Sequence, residues 1–124
     1  MKKNTVVYWE LASHNAEKTT VFLKKVFGWV PEFDKKTGIY EFPVRESQND
    51  FSGGGVFTLR RAKLPFLTVY IRVENIEAKA KLVTKSGGFV IESPREISPG
   101  VKICLFNEPS GVTLAMLEHT KKKR

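Results

Sequence analysis

Tyr8 and Glu10 stand two apart in VVYWEL (residues 6–11), so in an extended chain they share one face. A phenol there donates hydrogen bonds or stacks on a planar ligand. A carboxyl withdrawn from water rises in pKa and serves as a general base. Against this stand an open rim position for Glu10 and an ion pair with Arg72. Thr68, Tyr70 and Arg72 form a second alternating set in FLTVYIR (66–72). Tyr70 is either a ligand contact or a core tyrosine with a bonded hydroxyl. Arg72 and Arg45 either clamp an anion bidentately or form surface ion pairs. Cys104 alternates with Lys102 and Phe106 and is a candidate cavity-lining residue. A lone cysteine in a strand is also ordinary packing, and no sequence neighbour lowers its pKa. His14 and His119 have no metal-ligand spacing and read as cap or surface histidines. SGGG (52–55) lacks the Lys-Ser/Thr of a phosphate loop and reads as the entry to a strand.

The elements that position these residues are written twice. With a shift of 60, YWELASHNAEKTTVFLKKVFGWVPE (8–32) falls on TVYIRVENIEAKAKLVTKSGGFVIE (68–92) without a gap. Asn15 meets Asn75, Gly28 meets Gly88 and Trp29 meets Phe89. GIYEFPV (38–44) lies over GVKICLF (100–106), and GVFTL (55–59) over GVTLA (111–115). Each copy begins with an alternating strand, at 5–11 and at 66–73. A helix follows, with Asn15 or Asn75 as N-cap and with Gly28 or Gly87–Gly88 ending it. Thr19, Phe22, Leu23 and Val26 are expected to form the buried stripe of the first helix; Ile76, Ala80 and Val83 that of the second. Strands are expected at about 29–33, 38–45 and 55–60, then at 89–93, 101–106 and 112–118. DKKTG, RESQNDFSGG, SPREISPG and NEPSG separate them. The chain thus reads βαβββ–βαβββ, a single α+β domain over 1–124. Repeat 1 covers about 5–60, repeat 2 about 66–118, and a basic tail 119–124. Val7, Trp9 and Leu11, with Val69, Ile71 and Val73, should face the helices, leaving Tyr8, Glu10, Thr68, Tyr70 and Arg72 on the other side.

Composition is that of an ordinary globular protein, with 41% apolar and 27% charged residues. No run approaches the roughly 20 apolar residues of a membrane span. Glu10 and His14 interrupt what would be a signal core, and one cysteine makes no intrachain disulfide, so the cytoplasm is the expected compartment. The formal charge is +8, and half of that excess is the tail KKKR (121–124). With no helix-turn-helix, zinc-finger or RNP-type pattern, nucleic acid is not an expected partner.

The tandem βαβββ grammar, FLKKVFGW (22–29), VENIEAKAKLVTKSGG (73–88) and NEPSGVTLAML (107–117) together resemble the vicinal oxygen chelate superfamily: the glyoxalase I, bleomycin-resistance and extradiol-dioxygenase relatives. The resemblance covers residues 5–119. It implies a curved mixed sheet around a cavity, helices on the outer face, and a homodimer. Metal-dependent members carry a His or Gln in the first strand, a Glu or His ending the first copy, a His opening the second copy, and a Glu in the last strand. Divalent cations need three or four such converging donors. Here these positions fall on Tyr8, within GGGVFTLRR (53–61), on Thr68 and on Ala115. None offers an imidazole or a carboxylate, so no metal and no cofactor is expected.

The resulting expectation is a metal-free protein of this fold. It binds a small aromatic or apolar molecule, with Tyr8, Thr68, Tyr70, Arg72, Arg45, Cys104 and Ala115 as ligand contacts. The alternatives are a metal-dependent lyase or dioxygenase of the same superfamily, a metal-free enzyme with Glu10 as base, and an interaction protein whose basic tail meets an acidic partner. Fold alone does not choose among them.

Overall fold

A computed structural model describes residues 4–43, 53–60 and 63–120. The order is β1 (Thr5–Ser13), α1 (Ala16–Phe27), β2 (Glu32–Asp34), β3 (Ile39–Phe42), β4 (Gly54–Thr58), β5 (Phe66–Arg72), α2 (Ile76–Lys85), β6 (Phe89–Ser98), β7 (Val101–Asn107) and β8 (Thr113–His119). This is the expected α+β chain of two βαβββ repeats. It forms two compact units, one spanning Val7–Thr68 and the other running from Val69 onward together with the chain up to Val6. In the first unit the strands hydrogen-bond in the order β2-β3-β4-β1, with β1 and β4 parallel. In the second the order is β5-β8-β7-β6, with β5 and β8 parallel. Among the described residues no helix is long and apolar enough to cross a membrane.

Local chemistry sets the helix ends. The Asn15 side chain accepts the Lys18 amide at 3.0 Å, and Asn75 accepts that of Ala78 at 3.1 Å. Gly28 closes α1 in the left-handed region (φ 73°), its amide on the Lys24 carbonyl at 2.8 Å. The Glu118 carboxylate accepts the Ile76 amide at 2.8 Å, placing negative charge at the start of α2. The first core joins Ala16, Phe42 and Val56 to Trp9, Leu11 and Leu23. The second joins Val73, Ile76, Ala80, Cys104, Phe106 and Met116.

Three expectations are corrected. Phe22 and Val26 are 58% and 55% exposed; α1 instead turns Ala16, Thr20 and Leu23 inward. Ala16 and Thr20 are small, so they let the helix lie close to β4. The separator SPREISPG is strand as far as Ser98, because β6 is an edge strand and absorbs Pro94 among three register shifts. The pairing registers also realign the later strands of the repeats. Glu10 lies opposite Gly55 as Tyr70 lies opposite Ala115, so the counterpart of Ala115 is Gly55 and not Leu59. Glu41 lies opposite Gly55 as Leu105 lies opposite Ala115, so the counterpart of Glu41 is Leu105 and not Ile103.

Candidate functional site

One row of residues crosses the first unit on the face turned away from α1. Glu32 on β2 pairs with Glu41 on β3, Glu41 with Gly55 on β4, and Gly55 with Glu10 on β1. Gly55 leaves a gap in this row, and Tyr8 fills it. Its hydroxyl donates to Glu41 Oε1 at 2.8 Å, across 33 positions of sequence. A side chain on Gly55 would collide with that hydroxyl and approach Ile39 Cγ2 to 2.8 Å.

All three glycines of GGG (53–55) give way to neighbours. Gly53 has φ +81°, and a Cβ there would strike the Phe42 carbonyl. A Cβ on Gly54 would strike the indole of Trp9, which lies over it on the helix face. Successive residues of β1 thus lay their rings across β4 on opposite faces, each covering the bare backbone of one glycine. On the helix face Trp9 stacks with Phe42 at 5.9 Å and meets Trp29 at 6.1 Å. A cavity of about 470 Å³ opens there against Trp9, Trp29, Val30 and Phe42.

Glu41 is the residue the sequence reading missed. Burial pushes its carboxyl above the ordinary glutamate range; the Tyr8 hydrogen bond opposes this, and the negative charges of Asp34 and Glu32 add to it. Its only sequence signal was alternation within IYEF, which pairs it with Ile39 and not with Tyr8. Between the ordinary pKa and the raised one, the folded chain keeps a proton that the unfolded chain has released. Stability due to this group therefore falls as pH rises through that window, and the penalty is complete above the raised pKa. Glu41→Gln should accordingly melt higher than wild type at pH 7, with the two curves converging below the ordinary glutamate pKa. Melting curves from pH 4 to 8 check this, and a pH-independent difference would remove the assignment.

The other expected site residues separate. Glu10 shares the Tyr8 face, two strands from Glu41. Thr68 and Tyr70 are buried, with Tyr70 opposite the fully buried Ala115. Arg72 donates to the His119 carbonyl at 3.0 Å, where it ties β5 to the end of β8. Cys104 does not join Tyr70. It lies opposite Met116 and packs with Ile76 in the core under α2. Burial, and after it the charge of Glu92, raises its thiol pKa, so it is a packing residue and is withdrawn as a ligand contact. Arg45 lies outside the described residues.

The residues present do not fit the divalent cation that the resemblance brings with it. The four implied positions are Tyr8, Gly55, Thr68 and Ala115, once the register places the second of them at Gly55. Two have no donor atom. The Tyr8 hydroxyl is directed at Glu41. Among the described residues no three His, Cys, Asp or Glu side chains gather as a metal-holding group.

The sequence matches no family model and no curated protein. The structure is similar to solved epimerases. A methylmalonyl-CoA epimerase in complex with methylmalonyl-CoA and NH4+ aligns with a TM-score of 0.68 at 14% identity, over 96% of each chain. The Streptomyces coelicolor methylmalonyl-CoA epimerase (a variant bound to 2-nitronate-propionyl-CoA) gives 0.68 at 14% identity, over 97% of this chain and 100% of that one. The Mycobacterium tuberculosis methylmalonyl-CoA epimerase gives 0.65 at 13% identity, over 98% and 93%. These structures are epimerases, and at such identities the likeness is one of fold alone. The chain carries a tandem βαβββ fold, the fold these solved methylmalonyl-CoA epimerases have.

Proposed function

We propose that this protein binds a small organic molecule at the Tyr8–Glu41 pair, without a metal. One observation carries the reading: a phenol and a carboxyl of raised pKa are hydrogen-bonded on the sheet face away from the helix. Ile39 and Phe57 lie on that face and supply apolar contact. CoA thioesters are the first ligands to test, because epimerases of this fold bind methylmalonyl-CoA and 2-nitronate-propionyl-CoA. A formal charge of +8 suits a ligand bearing phosphates.

A second reading is an enzyme that moves a proton on the carbon beside a carbonyl. It is favoured by Glu41, whose raised pKa brings it closer to neutrality, where a general acid or base works best. Glu10 is the other carboxylate on that face. A homodimer in the cytoplasm remains part of the proposal; exposed Phe22, Val26 and Phe27 on α1 support a covered surface there.

Ligand-observed NMR with methylmalonyl-CoA, propionyl-CoA and simple aromatic carboxylates tests the binding reading. Contact is expected in wild type and is weakened in Tyr8→Phe. Both tryptophans of the chain border the 470 Å³ cavity on the opposite face, so a ligand lodged there quenches intrinsic fluorescence instead. Exchange of the α-hydrogen in D2O separates an enzyme from a binder. Binding indifferent to Tyr8 and Glu41 would move the site elsewhere.

A further inference from the structure

The misfit to a metal has a specific cause. Two of the positions implied by the resemblance fall in the first unit, Tyr8 from the first strand and Gly55 by register with Ala115. The Tyr8 hydroxyl occupies the space that a side chain on Gly55 would need. One phenol thus takes both places, and it is anchored on Glu41 at 2.8 Å.

We propose that the Tyr8 phenol serves in place of a metal as the electrophilic group of this site. It donates its hydrogen bond to an anionic oxygen of the ligand, with Glu41 behind it as the proton holder. The ligand class is then a carbonyl compound in its enolate form, or an analogue with the same oxyanion. This rests on the small-molecule reading above and adds the chemistry of recognition.

The proton balance is simple. With Glu41 ionised, the Tyr8 hydroxyl donates to the carboxylate. When an oxyanion binds, Glu41 takes one proton from solvent and donates it in a hydrogen bond to the Tyr8 oxygen. The Tyr8 O–H then turns to the ligand. No covalent bond forms, and one proton is taken up per ligand. A phenol is a hydrogen-bond donor that keeps its proton at neutral pH. Oxyanion holes that combine a tyrosine hydroxyl with a protonated carboxyl are known, although there both groups donate to the oxyanion itself. The titratable groups facing Glu41 are Glu32 and Asp34 from β2, with Tyr8 and Glu10 from β1; β4 contributes only Gly55. The charges of Asp34 and Glu32 both favour a protonated Glu41 over an ionised one.

The test compares two probes by calorimetry from pH 6 to 8, with and without EDTA: 2-nitronate-propionyl-CoA, which carries the oxyanion, and propionyl-CoA, which does not. Wild type is expected to prefer the nitronate by about tenfold or more, as one aimed donor in a shielded site provides. EDTA should leave this unchanged. The preference should fall as pH rises, with a proton taken up from buffer. Tyr8→Phe should lose the preference, its affinity for the nitronate falling further than its already weakened affinity for propionyl-CoA. Glu41→Gln should keep the preference and lose its pH dependence, because the amide donates to the Tyr8 oxygen at every pH. A preference that survives in Tyr8→Phe, or that EDTA abolishes, overturns the proposal while small-molecule binding stands. If neither thioester binds, the proposed ligand class is wrong, and the NMR panel with aromatic carboxylates judges the binding reading separately.

Discussion

Gly54→Val is expected to lower the stability of the chain by about 3 kcal/mol, the upper part of the usual range for overpacking a filled site. Gly54 is buried in β4 opposite Trp9, and the indole lies where its first side-chain carbon would be. That indole is held by Phe42, stacked at 5.9 Å, and by Trp29 at 6.1 Å. Any shift of the indole away from Gly54 disturbs these ring contacts. Valine's preference for strands acts in the opposite direction but spans only about 1 kcal/mol across all residues. Displacing Trp9 also disturbs Tyr8, the next residue on β1, so the loss should extend to ligand contact. Chemical denaturation reads the effect as a lower midpoint at unchanged slope. A valine variant as stable as wild type would mean that the indole does not cover Gly54.

Ile76→Ala is expected to cost about 2–5 kcal/mol, the range for deleting a fully buried aliphatic side chain. Ile76 is 0% exposed, opens α2, and packs among Cys104, Phe106 and Met116. Its amide bond to Glu118 is made by the backbone and survives the substitution, so the loss reports packing alone. The cavity is lined by strands on one side and a capped helix on the other, which leaves little room for collapse. Cys104→Ala in the same cluster removes one atom and should cost far less. If Ile76→Ala cost under about 1 kcal/mol, α2 would not be seated on β7 and β8 through this residue.

These predictions draw on features that differ in how far they can be read from the chain alone. Alternation in VVYWEL and FLTVYIRV placed Trp9 and Leu11, like Ile71 and Val73, toward the helices, and they pack there. Strand side chains have a period of two whatever the partners are. Asn15, Asn75 and Gly28 marked helix ends because capping is satisfied within a few residues of backbone. The tandem repeat set the order of elements. The fold was therefore legible in local rules applied twice.

The site was legible only in part, since it is made of partners far apart in sequence. Tyr8 and Glu41 meet because β3, β4 and β1 are neighbours in that order, and because the residue between them is glycine. Nothing in GGG tells a flexible loop entry from three gaps that a carbonyl, an indole and a phenol require. The tertiary structure also decided that Phe22 and Val26 stay exposed, because a helix with apolar residues on several sides can be seated by its smallest ones. It sent Cys104 to the helix side of β7 through the register with Met116. Periodicity and capping act over a few bonds and belong to the sequence itself. Register and strand order fix which distant side chains share a face, and they exist only once the sheets have formed.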